Sequence, residues 1–299
     1  MVRMICFLAL FSFWQATPAR AEIVTPDGDM FGIITLHEIA PEENLYTLAR
    51  RSNMGIVEML AANPGLDPWL PPPGHQVTLT GMHLLPPGSR EGIVINLSEL
   101  RLFYYLADGD VMTFPIGIGR EGWQTPLGVT KVLRKRKDPT WTPPPSIRAK
   151  DPDLPALVPA GPDNPLGQYA FYLGFQSVLI HGTNRPYGVG KRSSHGCIRL
   201  YPEDIEVLFD KVKIGTKVTI IDEPLKLGWR DNRLYMELSP TQEQADWIAE
   251  YRQPVNMTTP EIYDKIAAFA GKDTSINWYE VERAIQRRDG IPTAIGIRQ

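Results

Sequence analysis

Two short segments, His-Gly-Thr at 181–183 and Ser-Ser-His-Gly-Cys-Ile-Arg-Leu at 193–200, predict the chemistry and the fold of this chain. Cys197 is one of only two cysteines, and the other lies near the N-terminus. A thiol becomes a strong nucleophile when an imidazole takes its proton, and His181 and His195 are the candidates in these segments. The pattern therefore indicates a cysteine nucleophile with a histidine base.

Two other interpretations of these residues stay open at this point. In one, Cys197 is a buried core residue and both histidines are structural, although Gly-Cys flanked by Ser, His and Arg is more polar than a core strand usually is. In the other, His181, His195 and Cys197 are three zinc ligands of a catalytic site. Since no fourth ligand and no nearby acidic base are evident in the sequence, we expect no metal.

The segments resemble the catalytic signature of the L,D-transpeptidases, the YkuD-like family, and the resemblance extends over about residues 91–222. The family pattern is an upstream His-Gly followed by Ser/Thr-His-Gly-Cys, a hydrophobic residue and Asn or Arg. Here it reads His-Gly at 181–182 and Ser-His-Gly-Cys-Ile-Arg at 194–199. The resemblance implies a mostly β catalytic domain, a sandwich or barrel-like sheet with a short helix after the nucleophile, and no cofactor.

The family resemblance also assigns catalytic roles. Cys197 is the expected nucleophile and His181 the expected base, oriented by the backbone carbonyl of Gly182. The backbone N–H groups of His195, Gly196 and Cys197 would form the oxyanion hole, which typically lowers the barrier by about 3–4 kcal/mol for each donor.

Two polar residues of the signature are candidates for binding substrate. Arg199 could hold a substrate carboxylate through a bidentate pair, or it could pair with an acid of the chain such as Glu203 or Asp204. We favour the first role. Ser194 could orient the cysteine loop or cap a turn, and the sequence does not choose between these roles.

Residues 134–167 contain nine prolines and predict a long connection outside the sheet, because proline lacks the backbone N–H that a ladder needs. The segment resembles the lid of the family. Trp141 would form a wall over the cleft, and the basic cluster at 134–137 either faces carboxylate-bearing substrate or is a solvated surface. Tyr187, in the loop before the nucleophile, is a further candidate for lining the cleft.

Composition and the first residues indicate an exported globular protein. The chain has 299 residues and a formal net charge of −3, which gives no reason to expect a nucleic-acid partner. Residues 1–21 read as a signal peptide: a basic n-region, a short apolar run and a small-x-small cleavage site. The apolar run is too short for a transmembrane anchor, which needs about 20 residues. We expect a periplasmic protein.

Residues 31–81 predict a strand–helix–helix–strand unit that resembles a LysM module. Matching pieces include Leu-Tyr-Thr-Leu-Ala at 45–49 and Leu-Ala-Ala-Asn-Pro at 60–64. The resemblance implies binding to the N-acetylglucosamine of glycan strands; the alternative is a small structural unit without glycan affinity. The segment 83–90 is predicted to be a connector rich in proline and glycine.

Residues 91–222 carry short β-rich runs separated by turn residues, which favours a mostly β domain. A strand is predicted to deliver His181 at its end, and Pro202 is predicted to open a helix at a favoured first-turn position. The remaining residues, 223–299, predict a partly helical extension with helices near 261–269 and 278–285.

The family resemblance implies acyl transfer through a thioester. Peptidoglycan stem peptides would be the donor, and a diaminopimelate amine or the C-terminal lysine of an outer-membrane lipoprotein would be the acceptor. The layout of the chain is most similar to the lipoprotein-attaching subgroup. A hydrolase using the same thioester and a non-catalytic cell-wall binding protein are the alternatives.

Overall fold

The computed structural model describes residues 23–254 and 260–299. The predicted signal peptide, 1–21, lies outside these residues. Within the part that is described, no helix combines the length and the apolar character that crossing a membrane requires.

Short strands dominate the described chain. In chain order the strands are β1 (Ile23–Val24), β2 (Met30–Phe31), β3 (Ile34–Glu38), β4 (Gln76–Thr80), β5 (His83–Leu84), β6 (Ile93–Asn96), β7 (Arg101–Tyr105), β8 (Val111–Pro115), β9 (Ile118–Gly119), β10 (Gly128–Lys137), β11 (Tyr169–Leu173), β12 (Leu179–His181), β13 (Arg192–Ser194), β14 (Ile198–Arg199), β15 (Lys217–Ile221), β16 (Leu225–Arg230), β17 (Arg233–Leu238), β18 (Thr274–Ile276) and β19 (Thr293–Arg298). The helices are α1 (Leu45–Arg51), α2 (Ile56–Ala62), α3 (Pro145–Arg148), α4 (Pro202–Lys211), α5 (Gln242–Tyr251), α6 (Glu261–Ala270) and α7 (Trp278–Arg287).

The main sheet has nine strands in the order β1-β8-β7-β6-β15-β10-β11-β12-β14. This confirms the mostly β fold expected from the sequence. The predicted closing strand near 218–221 is β15, which lies in the middle of the sheet, parallel to β6 and antiparallel to β10. The helix predicted at Pro202 is α4, and its Phe209 packs against the ring of Tyr169 in β11 at 4.8 Å.

The basic cluster at 134–137 lies in β10, not in the proline-rich connection. Lys135 donates to the carbonyl of Val212, at the end of α4, at 3.0 Å, and also to the carbonyl of Phe209. The guanidinium of Arg134 stacks on the ring of Tyr172 at 3.8 Å. Part of this cluster therefore caps a helix and packs on the sheet, because lysine can satisfy the carbonyls at a helix C-terminus.

The N-terminal unit has the predicted strand–helix–helix–strand order. β3 pairs antiparallel with β4, and the side chain of Asn44 caps α1 by accepting from the N–H of Thr47 at 3.0 Å. The single strand expected from Phe31 onward is interrupted at Gly32, whose φ of 74° is left-handed, so that β2 and β3 are separate strands.

This unit packs directly onto the main sheet. Leu48 and Met59 belong to the same buried cluster as Phe114 of β8. Glu58 of α2 forms a buried ion pair with Arg101 of β7 at 2.6 Å. Burial alone would raise the pKa of Glu58, but Arg101 and His83 outweigh it and lower that pKa to about 2. The N-terminal unit and the sheet thus share one core.

The C-terminal extension contains both predicted helices, α6 and α7, and also a four-stranded sheet, β16-β17-β19-β18, that the sequence analysis did not predict. Helix α5 was also not predicted. Its Ala245 and Ile248 are buried in the main core, and its Asp246 pairs with Arg192 of β13. The extension therefore reaches β13, the strand that precedes Cys197.

A buried charge cluster lies where the three parts of the chain meet. Lys226 of β16 lies 2.5 Å from Glu99 and 2.9 Å from Glu237 of β17. The segment at 83–90, predicted to be a connector, begins with β5, and its buried His83 lies 3.4 Å from Glu237. These contacts fix the N-terminal unit, the main sheet and the extension to one another.

Candidate active site

The edge of the main sheet brings the two signature segments together. β12 and β14 are parallel neighbours, with Ile180 opposite Ile198 and His181 opposite Arg199. His181 is the last residue of β12, and Cys197 comes directly before β14. The predicted delivery of His181 by a strand is confirmed, and the histidine reaches the sheet edge beside the cysteine loop.

His181 is buried and held in one tautomer. Its Nδ1 lies 2.5 Å from the carbonyl oxygen of Gly182. A carbonyl can only accept, so Nδ1 carries the proton and Nε2 keeps its lone pair. Burial, together with the charge of Arg199, lowers the pKa of His181 to about 3. The imidazole is therefore neutral near neutral pH and can act as a proton acceptor.

The Cys197 thiol is partly exposed, and its sulphur donates to the carbonyl of Ser177 at 3.5 Å. Burial raises the pKa of Cys197, although a backbone hydrogen bond at Leu179 and the charge of Arg199 act in the opposite direction. Across residues 23–254 and 260–299, no hydrogen bond joins the Cys197 sulphur to His181. The resting pair is a neutral thiol and a neutral imidazole.

The cysteine loop is closed by its own hydrogen bonds. Ser194, only 1% exposed, donates to the carbonyl of Cys197 at 2.6 Å and accepts from the N–H of Gly196 at 3.1 Å. Thr125 donates to the carbonyl of Gly196 at 3.1 Å, and Gly196 itself has a φ of 99°, which favours glycine. Because both polar functions of Ser194 are used within the loop, it is placed to orient Cys197 and not to contact substrate.

His195 contacts two residues that the sequence analysis missed. The guanidinium of Arg120 donates to His195 Nε2 at 2.9 Å, and the ring of Trp123 meets the imidazole edge-on at 4.7 Å. A guanidinium has no acceptor, so Nε2 of His195 is engaged and unprotonated. Burial and Arg120 lower the pKa of His195. The signal available in the sequence was the segment Arg-Glu-Gly-Trp at 120–123, which forms a turn directly after β9.

Arg199 does not form the acidic pair that was one of its two expected roles. Its guanidinium contacts the carbonyl and hydroxyl oxygens of Ser193 at 3.4 and 3.5 Å, and its buried Nε has no hydrogen-bond partner in the described structure. Glu203 instead forms a bidentate pair with Arg50 at 2.6 Å. Asp204 is buried, which raises its pKa well above the usual range.

The described contacts of Tyr187 and Trp141 are with residues other than Cys197. Tyr187 packs against Tyr46 and Trp69 of the N-terminal unit, with ring centroids 5.4 and 5.3 Å away, so it joins that unit to the loop before the nucleophile. The backbone of Trp141 pairs with Val158 within the proline-rich segment. None of the contacts described for Trp141 reaches Cys197, whereas Trp123 lies against the catalytic loop.

The zinc interpretation is not supported by the positions of the side chains. Among the described residues, the one group of His, Cys, Asp and Glu side chains whose ligand atoms lie within 4.8 Å of one another is His83, Glu99 and Glu237. In that group the ammonium of Lys226 already bonds both carboxylates, so the position of a cation is taken by a side chain.

Comparisons with known proteins identify the family of this chain. Residues 90–220 match the L,D-transpeptidase catalytic domain, YkuD. The probable L,D-transpeptidase ErfK/SrfK of Escherichia coli K12 is 39% identical over 313 residues, covering 100% of this chain and 98% of the relative. The probable L,D-transpeptidase YbiS of the same strain is 40% identical, with 85% of each chain covered, and YcfS is 46% identical, covering 78% of this chain and 74% of the relative. These similarities show an acyltransferase, and the chain belongs to the L,D-transpeptidase family.

Proposed function

We propose that this L,D-transpeptidase acts on peptidoglycan stem tetrapeptides in the periplasm, with Cys197 as the nucleophile and His181 as the base. The observation that supports this best is the neutral His181 imidazole, whose Nδ1 proton is held by Gly182 and whose Nε2 is left as an acceptor. His195 is the weaker candidate for the base because Arg120 already occupies its Nε2.

In the first half-reaction, His181 takes the thiol proton while the sulphur attacks the carbonyl of diaminopimelate, the third residue of the stem. The bond from that carbonyl to the terminal D-alanine breaks, and the imidazolium returns its proton to the leaving amine, as microscopic reversibility requires. Because the resting thiol and imidazole are both neutral, proton transfer accompanies the attack and does not precede it.

The negative charge on the carbonyl oxygen would be stabilised by backbone N–H groups of the cysteine loop. The N–H of Gly196 is bound to Ser194 in the resting site. We therefore assign the oxyanion hole primarily to the N–H groups of His195 and Cys197. The N–H of Gly196 would contribute only if its bond to Ser194 is exchanged for one to substrate.

In the second half-reaction, a neutral primary amine attacks the thioester and the C–S bond breaks. His181 takes the proton that the amine loses and returns it to the departing sulphur, which restores the thiol. We propose the C-terminal lysine of an outer-membrane lipoprotein as the main acceptor and a diaminopimelate side chain, giving a 3→3 cross-link, as the minor one. Support comes from the layout of N-terminal unit, catalytic domain and extension, and from the similarity to ErfK/SrfK over the full length of this chain.

A competition experiment tests the reaction and the acceptor together. Purified enzyme receives a tetrapeptide donor with a lysine-terminated peptide and a stem-peptide amine at equal concentration, and products are identified by mass spectrometry. The lysine adduct should dominate, and Cys197→Ala should form neither product nor a thioester. A dominant stem–stem dimer would overturn the acceptor assignment, free tripeptide alone would indicate a hydrolase, and an adduct on the Cys197→Ala protein would exclude the nucleophile.

For the N-terminal unit, 31–81, we propose LysM-like binding to glycan strands. Because this unit shares its core with the main sheet, the test uses the full chain carrying Cys197→Ala, which binds without turnover. The protein should sediment with insoluble peptidoglycan, and N-acetylglucosamine oligosaccharides should release it. Sedimentation that these oligosaccharides leave unchanged would contradict glycan binding.

A further inference from the structure

Two cations lie on the His195 side of the cysteine loop. Arg120 is exposed and donates to the His195 imidazole at 2.9 Å. The Nζ of Lys150, which follows α3 in the proline-rich segment, lies 5.8 Å from the centre of the Trp123 ring, and that ring contacts His195. The proline-rich segment therefore reaches the site through Lys150, and it brings a positive charge.

Two more cations, Arg199 and Arg185, belong to the segments that carry Cys197 and His181. Arg199 is partly buried, and its Nε has no partner in the described structure. Arg185 is exposed in the loop after β12. Burial lowers the pKa of Arg199, and the nearby charges of Arg185 and Arg120 lower it further. Positive charges are thus gathered around the cysteine loop.

Within the part of the chain that the structure describes, no carboxylate pairs with these four cations. In the described ranges, none of the four cations forms an ion pair with an acidic side chain, whereas other arginines of the molecule are paired, such as Arg50 with Glu203 and Arg192 with Asp246. The chain as a whole has a net charge of −3, so the positive charge is local to the surroundings of the cysteine loop. A cleft lined by one sign of charge concentrates ligands of the opposite sign.

We propose that these cations form two carboxylate subsites at the cysteine loop: Arg199 with Arg185, and Arg120 with Lys150. The inference rests on the proposed function and deepens it. The enzyme selects donor stems in which two carboxylates are free: that of the terminal D-alanine and that of the diaminopimelate side chain, here called the acyl-side carboxylate. It discriminates against stems in which either group is a carboxamide. A carboxamide has the same shape, but it loses the charge and one of the two acceptors that a guanidinium binds.

The test uses four synthetic tetrapeptides of one sequence: the parent, the terminal amide, the acyl-side amide and the doubly amidated peptide. kcat/KM is measured by mass spectrometry of the transfer product with one fixed amine acceptor. Each amidation should lower kcat/KM about 10- to 100-fold for the wild-type enzyme, the range for a hydrogen bond to a charged group. Arg199→Gln should remove the discrimination at one carboxylate, and Arg120→Gln should remove it at the other.

Arg233→Gln is the matched control, because Arg233 is an exposed arginine of β17 in the extension sheet. It should discriminate as the wild type does, and thermal unfolding checks that all three variants are folded. The inference is overturned if the wild type turns over parent and amidated peptides equally, or if both Arg199→Gln and Arg120→Gln keep the full discrimination. Failure of the proposed function looks different, since no peptide then acylates Cys197.

Discussion

The backbone of Gly55 lies directly against the backbone of Gly190, so closely that a Cβ atom on Gly55 would come within 2.7 Å of the Gly190 Cα. Gly55 precedes α2 of the N-terminal unit, and Gly190 lies in the loop between His181 and Cys197. The N–H of Val57 also donates to the Gly190 carbonyl at 3.1 Å. This contact makes the N-terminal unit a support for the loop that leads to the nucleophile.

Gly190→Ala should therefore destabilise the protein more than its left-handed backbone conformation alone would. Gly74→Ala is the control. Gly190 has a φ of 76° and Gly74 a φ of 79°, but a Cβ on Gly190 would lie 2.2 Å from the nitrogen of Ile56, and a Cβ on Gly74 meets nothing within 4 Å. Left-handed strain is about 1–2 kcal/mol in both variants, and the clash adds about 1–3 kcal/mol in Gly190→Ala. Urea unfolding measures the difference; equal midpoints for the two variants would contradict this account.

The buried charge cluster predicts a second effect. Lys226→Met removes the ammonium between Glu99 and Glu237, and breaking a buried pair typically destabilises by about 3–5 kcal/mol at neutral pH. The control is Lys217→Met, since Lys217 pairs with Glu91 at the surface at 3.1 Å. There we expect a loss of at most about 1 kcal/mol. Urea midpoints of both variants at pH 7 check the comparison.

The loss in Lys226→Met should also depend on pH. Pairing with Glu237 and Glu99 outweighs burial and raises the pKa of Lys226, so its contribution is fully present below the ordinary lysine value and disappears only in strongly alkaline solution. Without the ammonium, burial raises the pKa of both carboxylates in the folded variant. The variant therefore takes up protons on folding, and its stability falls as pH rises from the ordinary carboxylate pKa to the raised one. The difference from wild type should be larger at pH 7 than at pH 4, and a constant difference would count against this explanation.

The sequence predicted the parts of the site that are local in the chain. His181 at the end of a strand and the cysteine loop before α4 follow from hydrophobic runs, a proline and a specific signature. Arg120 could not be placed against His195 in the same way, because the two meet through the pairing of β9 with β13, which is not a pattern within either segment. The Lys226 cluster could not be predicted either, because it joins Lys226 to Glu99, which is 127 positions away in the chain.

The extension shows a different cause of error. The residues of β16, Leu-Lys-Leu-Gly-Trp-Arg at 225–230, alternate between apolar and other residues as a strand does. This alternation indicates a strand, but the two amphipathic helices dominate the pattern of the tail. The two tryptophans also differ in their contacts: Trp123, in a short turn, contacts His195, and the backbone of Trp141, in the long segment, pairs with Val158.

Thiol reactivity should show how the nucleophile is activated. Burial raises the pKa of Cys197 and lowers that of His181 to about 3, so no thiolate–imidazolium pair is populated at neutral pH. Alkylation of Cys197 by a small neutral reagent should therefore be slow at pH 6–7 and rise continuously through pH 9. His181→Ala should leave this profile nearly unchanged while abolishing acyl transfer. A plateau of fast alkylation between pH 5 and 8 would instead reveal a preformed ion pair.

Ser194 offers a test of how far the cysteine loop must be held in place. Ser194→Ala leaves the Gly196 N–H and the Cys197 carbonyl without their buried partner, a loss of about 1–3 kcal/mol. Because the loop positions the sulphur, we expect kcat to fall about 10- to 100-fold with KM nearly unchanged. Ser98→Ala is the control: Ser98 is also buried, and it bonds Asp222 away from the site. It should lose stability without losing kcat. If Ser194→Ala raises KM instead and leaves kcat intact, Ser194 contacts substrate and the orienting role is wrong.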